Sequence, residues 1–456
     1  MRDATGPRRG SSPPRPPTPR PRRALHSTPP GPARRTDVRR AGTATLCRPR
    51  CPPGESRRGR ALPPCHLPET DLTSDLDSTS GVHAHTRLAG RAAAVLAGGA
   101  THIARSYHPG LFVVRASGAR KTLVDGRELV DYTMGHGALL LGHAHPVVVD
   151  AVRRQVACGT HFGAGSELEV AWAEAIAGLV PSVERVRFTS SGTEATMLAL
   201  RLARAWTGRD VVVTVDDHFH GWHDAVVSGS REDGVVVAPP GVPRATAALT
   251  RIVDPRDRDS LVRALRDRAA AALILEASGA HYGRVPLPAS WVSAARAACD
   301  DTGTLLVFDE VVTGFRVRPG GMQELLGVRP DLSCFAKILG GGLPCGAVGG
   351  RADVMELLAA DAGGHARVEH PGTFNANPLS AAAGCATLAA IRDGRAQRRA
   401  ADAAAELERI WVDALAGAGV PGRAWRLESI VHVRLDDAAT QAALGGAMRE
   451  AGVDLL

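Results

Sequence analysis

The chain has 456 residues, 44% of them apolar, enough for two or three domains with a sizeable buried core. Its formal charge of +8 comes from one end: residues 1–60 hold 16 Arg against Asp3, Asp37 and Glu55, the remainder is net −5, and the basic pI is therefore no argument for nucleic-acid binding by the core. No apolar run nears the roughly 20 residues of a membrane span, no apolar segment follows the N-terminal arginines as a secretory signal requires, and none of the eight cysteines forms a CxxC pair, so they read as free thiols in a reducing cytoplasm. Cys47 and Cys51 with Cys65-His66 are a poor match to a zinc site.

Residues 1–80 hold 16 prolines up to Pro68 and almost no apolar periodicity, so they are expected to be a disordered Arg/Pro-rich extension. Order is expected from Val82–Leu96. Arg105–Asp131 reads as short strands with turns at Pro109-Gly110 and Asp125-Gly126. From Pro146 the rhythm is helix then strand. Helices are predicted over Pro146–Cys158, Glu167–Val180, Thr193–Ala205, Asp257–Ala270 and Pro288–Asp301. Strands are predicted over Val183–Phe188, Val211–Val215, Ala272–Leu275 and Thr304–Phe308. Short apolar runs alternating with helices imply an α/β fold with a mostly parallel, doubly wound sheet covered on both faces. Two helices, Leu379–Ile391 and Arg395–Ala418, and a strand over Ser429–Leu435 complete the chain.

Four motifs carry chemistry. The strand Val183–Phe188 runs into Thr189-Ser-Ser-Gly-Thr-Glu-Ala195 and a helix, where backbone N–H groups and hydroxyls form a phosphate cradle; alone, the same residues also read as an ordinary helix cap, Ser191 to Glu194. Asp309-Glu310 closes a buried strand where α/β folds bind ligands, and a carboxylate there needs a cation: a protonated pyridine nitrogen, or Arg316 or Arg318. His218, His220 and His223 tempt a metal reading without a rigid ligand spacing, and Phe219 lying on a planar ring is as good an account. Gly372–Pro378 places Thr373 before a small-residue helix, either as a phosphate donor or in a plain turn.

The fifth signal is a residue type. Only two of the 55 basic residues are lysine, Lys121 and Lys337. Arginine cannot lose its proton, whereas a lysine can act as an amine nucleophile when buried or set near positive charge. Lys337 follows the apolar Leu332–Ala336 stretch and precedes Gly340-Gly-Gly342, a setting for a Schiff-base lysine; Lys121 reads as a surface residue in a turn. A phosphate cradle, a pyridine-facing acid, a stacking aromatic and an amine together are what pyridoxal phosphate requires.

At this point the chain resembles the class III aminotransferases of fold type I, and within them the relatives of glutamate-1-semialdehyde aminomutase. The resemblance runs from Leu96 to Leu435. It rests on Gly142-His-Ala-His-Pro146, Ser190–Ala195, Phe219-His-Gly-Trp222, Asp309–Arg316, Lys337–Gly346 and Gly372–Pro378. It implies a pyridoxal 5'-phosphate enzyme in which Lys337 forms the Schiff base and Asp309 faces the pyridine nitrogen. Phe219 would stack on the ring, and Ser191, Gly192 and Thr193 would hold the phosphate. His220, Glu276 and Val311 would lie near the cofactor. Thr373 would reach the phosphate of a second subunit, which implies a homodimer. The implied domains are an N-terminal part of a small domain at 81–145, a large cofactor domain at 146–376, and the rest of the small domain at 377–456. The implied reaction moves an amino group between an amine or amino acid and a keto acid or aldehyde. The alternatives are an aminomutase-type intramolecular transfer and a non-catalytic homologue. Asn375-Ala376 stands where the aminomutases usually have Ser-Gly, and Glu276-Ala277 where they have Glu-Pro, which favours a transaminase. The family usually continues beyond a point matching Leu456, so a truncated small domain with an exposed sheet edge is expected.

Overall fold

The computed structural model describes residues 81–105, 111–226, 231–232, 235–361 and 367–455. The extension over residues 1–80 and the turn expected at Pro109-Gly110 lie outside them. Helix α1 (Gly81–Val95) is followed by three strands, β1 (Val113–Ser117), β2 (Arg120–Leu123) and β3 (Glu128–Asp131), paired antiparallel in that order. The turn between β2 and β3 is the expected one, with Gly126 at φ +84°.

After α2 (Pro146–Cys158) and α3 (Glu167–Leu179) comes the main sheet. Its strands in chain order are β4 (Arg185–Thr189), β5 (Val211–Val215), β6 (Thr250–Val253), β7 (Ala270–Leu275), β8 (Leu305–Asp309), β9 (Leu332–Phe335) and β10 (Gly346–Gly350). Their spatial order is β4-β10-β9-β8-β7-β5-β6. The five strands from β9 to β6 run parallel, and β10 is antiparallel to both its neighbours. The connecting helices are α4 (Gly192–Thr207), α5 (Arg258–Leu265), α6 (Ala289–Thr302) and the short α7 (Gly321–Leu326). Helix α5 stops short of the Ala270 that the sequence suggests, because Arg268 turns at φ +57° and the chain enters β7.

The strands are apolar on both sides, and the alternation decides the packing. Val212, Ile274, Leu305 and Val307 face α4 with Leu198, Leu202 and Val348. Val213, Leu273, Leu306 and Phe308 face the opposite layer with Trp291, Leu261 and Leu265. Burying both faces of a parallel sheet removes every loop from its interior and leaves the carboxyl ends of the strands as the open edge. A third cluster packs α3 and α8 (Pro378–Ile391) through Trp172, Ile176, Phe335, Leu339 and Leu388.

The long helix α9 (Arg395–Gly417), the hairpin β11 (Gly422–Leu427) and β12 (Ile430–Leu435), and α10 (Ala438–Glu450) follow. The last strand, β13 (Val453–Asp454), pairs parallel with β3, so strands from both ends of the described chain share one sheet.

Lys121 is not the surface residue its turn-like context suggests. Its ammonium bonds to the Asp454 carboxylate and lies 3.5 Å from Asp131 Oδ1, with its side chain 12% exposed. Asp131 in turn sits 2.7 Å from His143 Nε2 and accepts the backbone N–H groups of Thr133 and Met134. Two buried carboxylates require such a cation, and β13 supplies one of them.

Candidate active site

The site lies at the carboxyl ends of β4, β5, β7, β8 and β9. The helix after β4 begins at a built cap: Ser191 Oγ accepts from Glu194 N–H, and Glu194 Oε2 accepts from Ser190 N–H at 2.7 Å. With those groups satisfied, the N–H groups of Gly192 and Thr193 have no acceptor among the described residues and point out of the helix start. Glycine is required at 192, since a Cβ there would lie 2.9 Å and 3.1 Å from the γ-methyls of Val311 and 3.5 Å from Ala336 Cβ. The helix cap that the sequence offers is thus built, and it leaves two N–H groups free at the helix start, so cap and phosphate cradle do not exclude each other.

Asp309 ends β8 and is 6% exposed. Its Oδ1 accepts from Val311 N–H, and its Oδ2 lies 2.8 Å from His220 Nδ1, where the ring N–H donates to the carboxylate. His220 Nε2 is buried and has no hydrogen-bond partner among the described residues. The carboxylate does not pair with Arg316 or Arg318; Arg318 bonds Glu428 instead. Glu310 is buried beside it and accepts from Thr313 Oγ1, Met322 N–H and Gln323 N–H, which pins the loop after β8.

Glu276 caps β7. Its carboxylate accepts from the N–H groups of Phe219, His281 and Tyr282, at 3.0, 3.2 and 2.7 Å. Burial pushes this carboxyl up to about 7, against the pull of nearby His220 and of those N–H donors, which favour the ionised form. Its own N–H donates to His218 Nδ1, and burial holds His218 well below its ordinary value. His223 Nε2 lies 3.3 Å from Thr196 Oγ1, and burial lowers it to about 4. The three histidines thus face three different partners, and no group of His, Cys, Asp and Glu among the described residues is arranged to hold a metal ion.

Lys337 follows β9 as the first residue of a short 3-10 turn, at φ +52°. No hydrogen bond or ion pair engages its ammonium among the described residues. Burial lowers its proton affinity; Asp309 and Glu276 oppose this, and Arg316 adds to it. A Cβ on Gly192 would lie 3.5 Å from Ala336 Cβ, so the residue before the amine packs beside the start of α4.

The structure therefore brings Ser191, Gly192, Thr193, His220, Glu276, Asp309, Val311 and Lys337 to one edge of the sheet. Phe219 stands there through its backbone, with its ring 62% exposed. Thr373 is exposed, in a turn that Asn375 fastens to the cradle through a 3.4 Å hydrogen bond from Ser190 Oγ. Two residues escaped the sequence reading. Gly137, from the loop after β3, accepts from Arg316 Nη2, and a Cβ there would lie 3.9 Å from Lys337 Cδ. Lys121 carried the same signal of rarity as Lys337, and a buried role could have been read from it.

Pyridoxal phosphate fits this edge on its own features. Two free N–H groups at a helix start suit a phosphate, a buried carboxylate suits a pyridinium, and an uncommitted amine suits an aldehyde. His220 Nε2, left without a partner, can accept from a polar group in the same place.

Comparison with known proteins agrees. A family model described as "Aminotransferase class-III" matches residues 102–452. Over 350 residues the chain is 41% identical to a glutamate-1-semialdehyde 2,1-aminomutase of Methanopyrus kandleri, covering 75% of this chain and 80% of the relative. An omega-transaminase from Sphaerobacter thermophilus superposes with a TM-score of 0.77 at 33% identity, over 83% of this chain and 92% of its own. A structure titled "Transaminase with PLP bound" gives 0.76 at 32% identity, over 83% and 91%.

Proposed function

The chain belongs to the class III aminotransferases and is a pyridoxal-phosphate-dependent enzyme, and from that premise we propose that it moves an amino group between two substrates with Lys337 as its nucleophile and proton carrier. The bound cofactor supplies an aldehyde that accepts the amine and a ring that spreads the electron pair left by the departing α-proton. The protein supplies the rest. Gly192 and Thr193 N–H groups and the Ser191 turn hold the phosphate. Asp309, steadied by His220, keeps the ring nitrogen protonated. Phe219 would stack on the ring, with Val311 beside it. Lys337 Nζ, once free, takes the proton from the substrate carbon and returns it, as general base and then acid, a role worth about 10²–10⁴ in rate.

The observation that carries this reading is the amine at 337: partly buried, uncommitted among the described residues, and within electrostatic reach of Asp309 and Glu276 at the ends of β8 and β7. Transfer between two molecules is favoured over transfer within one by Asn375-Ala376 and Glu276-Ala277, where the aminomutases differ. A screen of amine donors tests it, following keto-product release and the change in the cofactor's visible absorbance. Conversion of glutamate 1-semialdehyde without any second substrate would overturn it.

A homodimer completes the reading. Thr373 and Phe374 are exposed beside the cradle, Phe374 61% so, as a surface covered by a second copy would be. Light scattering at micromolar concentration would give twice the chain mass. Cys299, Cys334 and Cys345 are buried free thiols, which suits a reducing cytoplasm. No helix among the described residues is long and apolar enough to cross a membrane.

A further inference from the structure

Arg316 is buried at 8% exposure, yet no carboxylate pairs with it among the described residues. A buried guanidinium is normally neutralised, because an isolated charge in the interior costs several kcal/mol. Its visible partners are carbonyls. Nε donates to Val312 O at 2.8 Å, and Nη2 donates to Gly137 O.

Gly137 ends an unusual piece of backbone. Met134, Gly135, His136 and Gly137 all take left-handed conformations, at φ +47°, +65°, +56° and +80°. Two of these are not glycine, and left-handed residues with a Cβ cost about 1–2 kcal/mol each. Such strain persists only where the surroundings fix it from several sides. Here the start of the turn is fixed by Asp131, which accepts the N–H groups of Thr133 and Met134, and Asp131 is itself held by Lys121. The end is fixed by Arg316. The turn closes over the catalytic lysine: a Cβ on Gly137 would lie 3.1 Å from Arg316 Nη2 and 3.9 Å from Lys337 Cδ.

We propose that Arg316 is a positioning residue for Lys337. Its guanidinium fastens the left-handed turn over the lysine's methylene stem, and its unneutralised charge stands beside the amine and favours the neutral, nucleophilic form. The groups that bear on the amine are Asp309 from the end of β8, Glu276 from the end of β7, Arg316 from the loop after β8, and His136 from the turn itself. The two carboxylates stabilise the ammonium. Arg316 opposes them. Burial keeps His136 below its ordinary value, with the cations around it adding to the effect. Removing Arg316 while the acids stay must therefore raise the lysine's proton affinity.

The role builds on the proposal that Lys337 is the reacting amine, but its test does not use the cofactor. Cofactor-free protein is pulse-labelled with acetic anhydride across a pH series, and the Lys337 peptide is quantified by mass spectrometry. Arg316→Met is expected to raise the pH of half-labelling by on the order of one unit. Arg316→Lys, which keeps the charge, should stay at the wild-type midpoint. Hydrogen exchange over residues 133–138 should speed up in the methionine variant. Should Arg316→Met fail to fold, Arg316→Gln keeps a donor for the Gly137 carbonyl without the charge and is expected to show the same rise. An unchanged midpoint in a folded neutral variant overturns the proposal. Failure of cofactor capture at Lys337 would instead overturn the enzymatic reading and leave this result standing.

Discussion

Gly192→Ala probes the cradle with a single methyl. Gly192 has no left-handed φ, so alanine meets no backbone penalty there, and any cost is steric. The new carbon would sit 2.9 Å and 3.1 Å from the two γ-methyls of Val311, against an ordinary carbon–carbon contact of about 3.5–4.0 Å. Overpacking of this kind costs about 1–3 kcal/mol, of which alanine's better helix propensity returns at most about 1. A net loss of about 1–2 kcal/mol is expected in urea unfolding of the cofactor-free protein. Cofactor affinity should fall about tenfold, since each 1.4 kcal/mol is a factor of ten and the displaced turn carries both free N–H groups. Val311→Ala removes both offending methyls. The double variant should therefore recover much of the loss, with a coupling of about 1 kcal/mol in a double-mutant cycle. If Gly192→Ala costs as much in the Val311→Ala background as in the wild type, the close contact is not what demands glycine there.

Two further outcomes follow from buried charge. Burial lifts Glu276 to about 7, so between its unfolded value near 4.5 and about 7 the folded chain holds a proton that the unfolded chain has lost. Stability contributed by this group falls as pH rises through that window and is level above it, a penalty of roughly 3 kcal/mol. Glu276→Gln should flatten the fall when urea midpoints are compared from pH 4.5 to 8; a parallel curve would refute the assignment. Lys121→Met leaves Asp131 and Asp454 buried without their shared cation, and a loss of about 3–5 kcal/mol is expected by denaturant melting. Adding Asp454→Asn should return part of it, and no recovery would mean that the hub is not electrostatic.

The parallel core was legible because each strand is a short apolar run between helices, and β5 falls where its valines put it. One strand that escaped had no such signature. β10 is Gly346-Ala-Val-Gly-Gly350, poor in the branched residues that mark strands, and it is a strand because β9 and β4 flank it. Lys337, Asp309 and the cradle could be found in the sequence because each pairs a rare residue type with a local motif. The His220–Asp309 bond and the Lys121–Asp454 pair join residues 89 and 333 positions apart, and nothing local encodes such distances. The left-handed conformations of His136, His281 and Tyr282 were equally hidden, because none of the three is a glycine; Arg316 and Glu276 hold those turns from elsewhere in the chain.

One amine must capture the cofactor, and the chain offers only two lysines to choose from. Borohydride reduction of the holoprotein followed by peptide mapping decides between them. A pyridoxyl mass tag is expected on the peptide carrying Lys337 and none on that carrying Lys121, with the tag and the visible absorbance both lost in Lys337→Ala. A tag on Lys121, or an unchanged spectrum in Lys337→Ala, would contradict it.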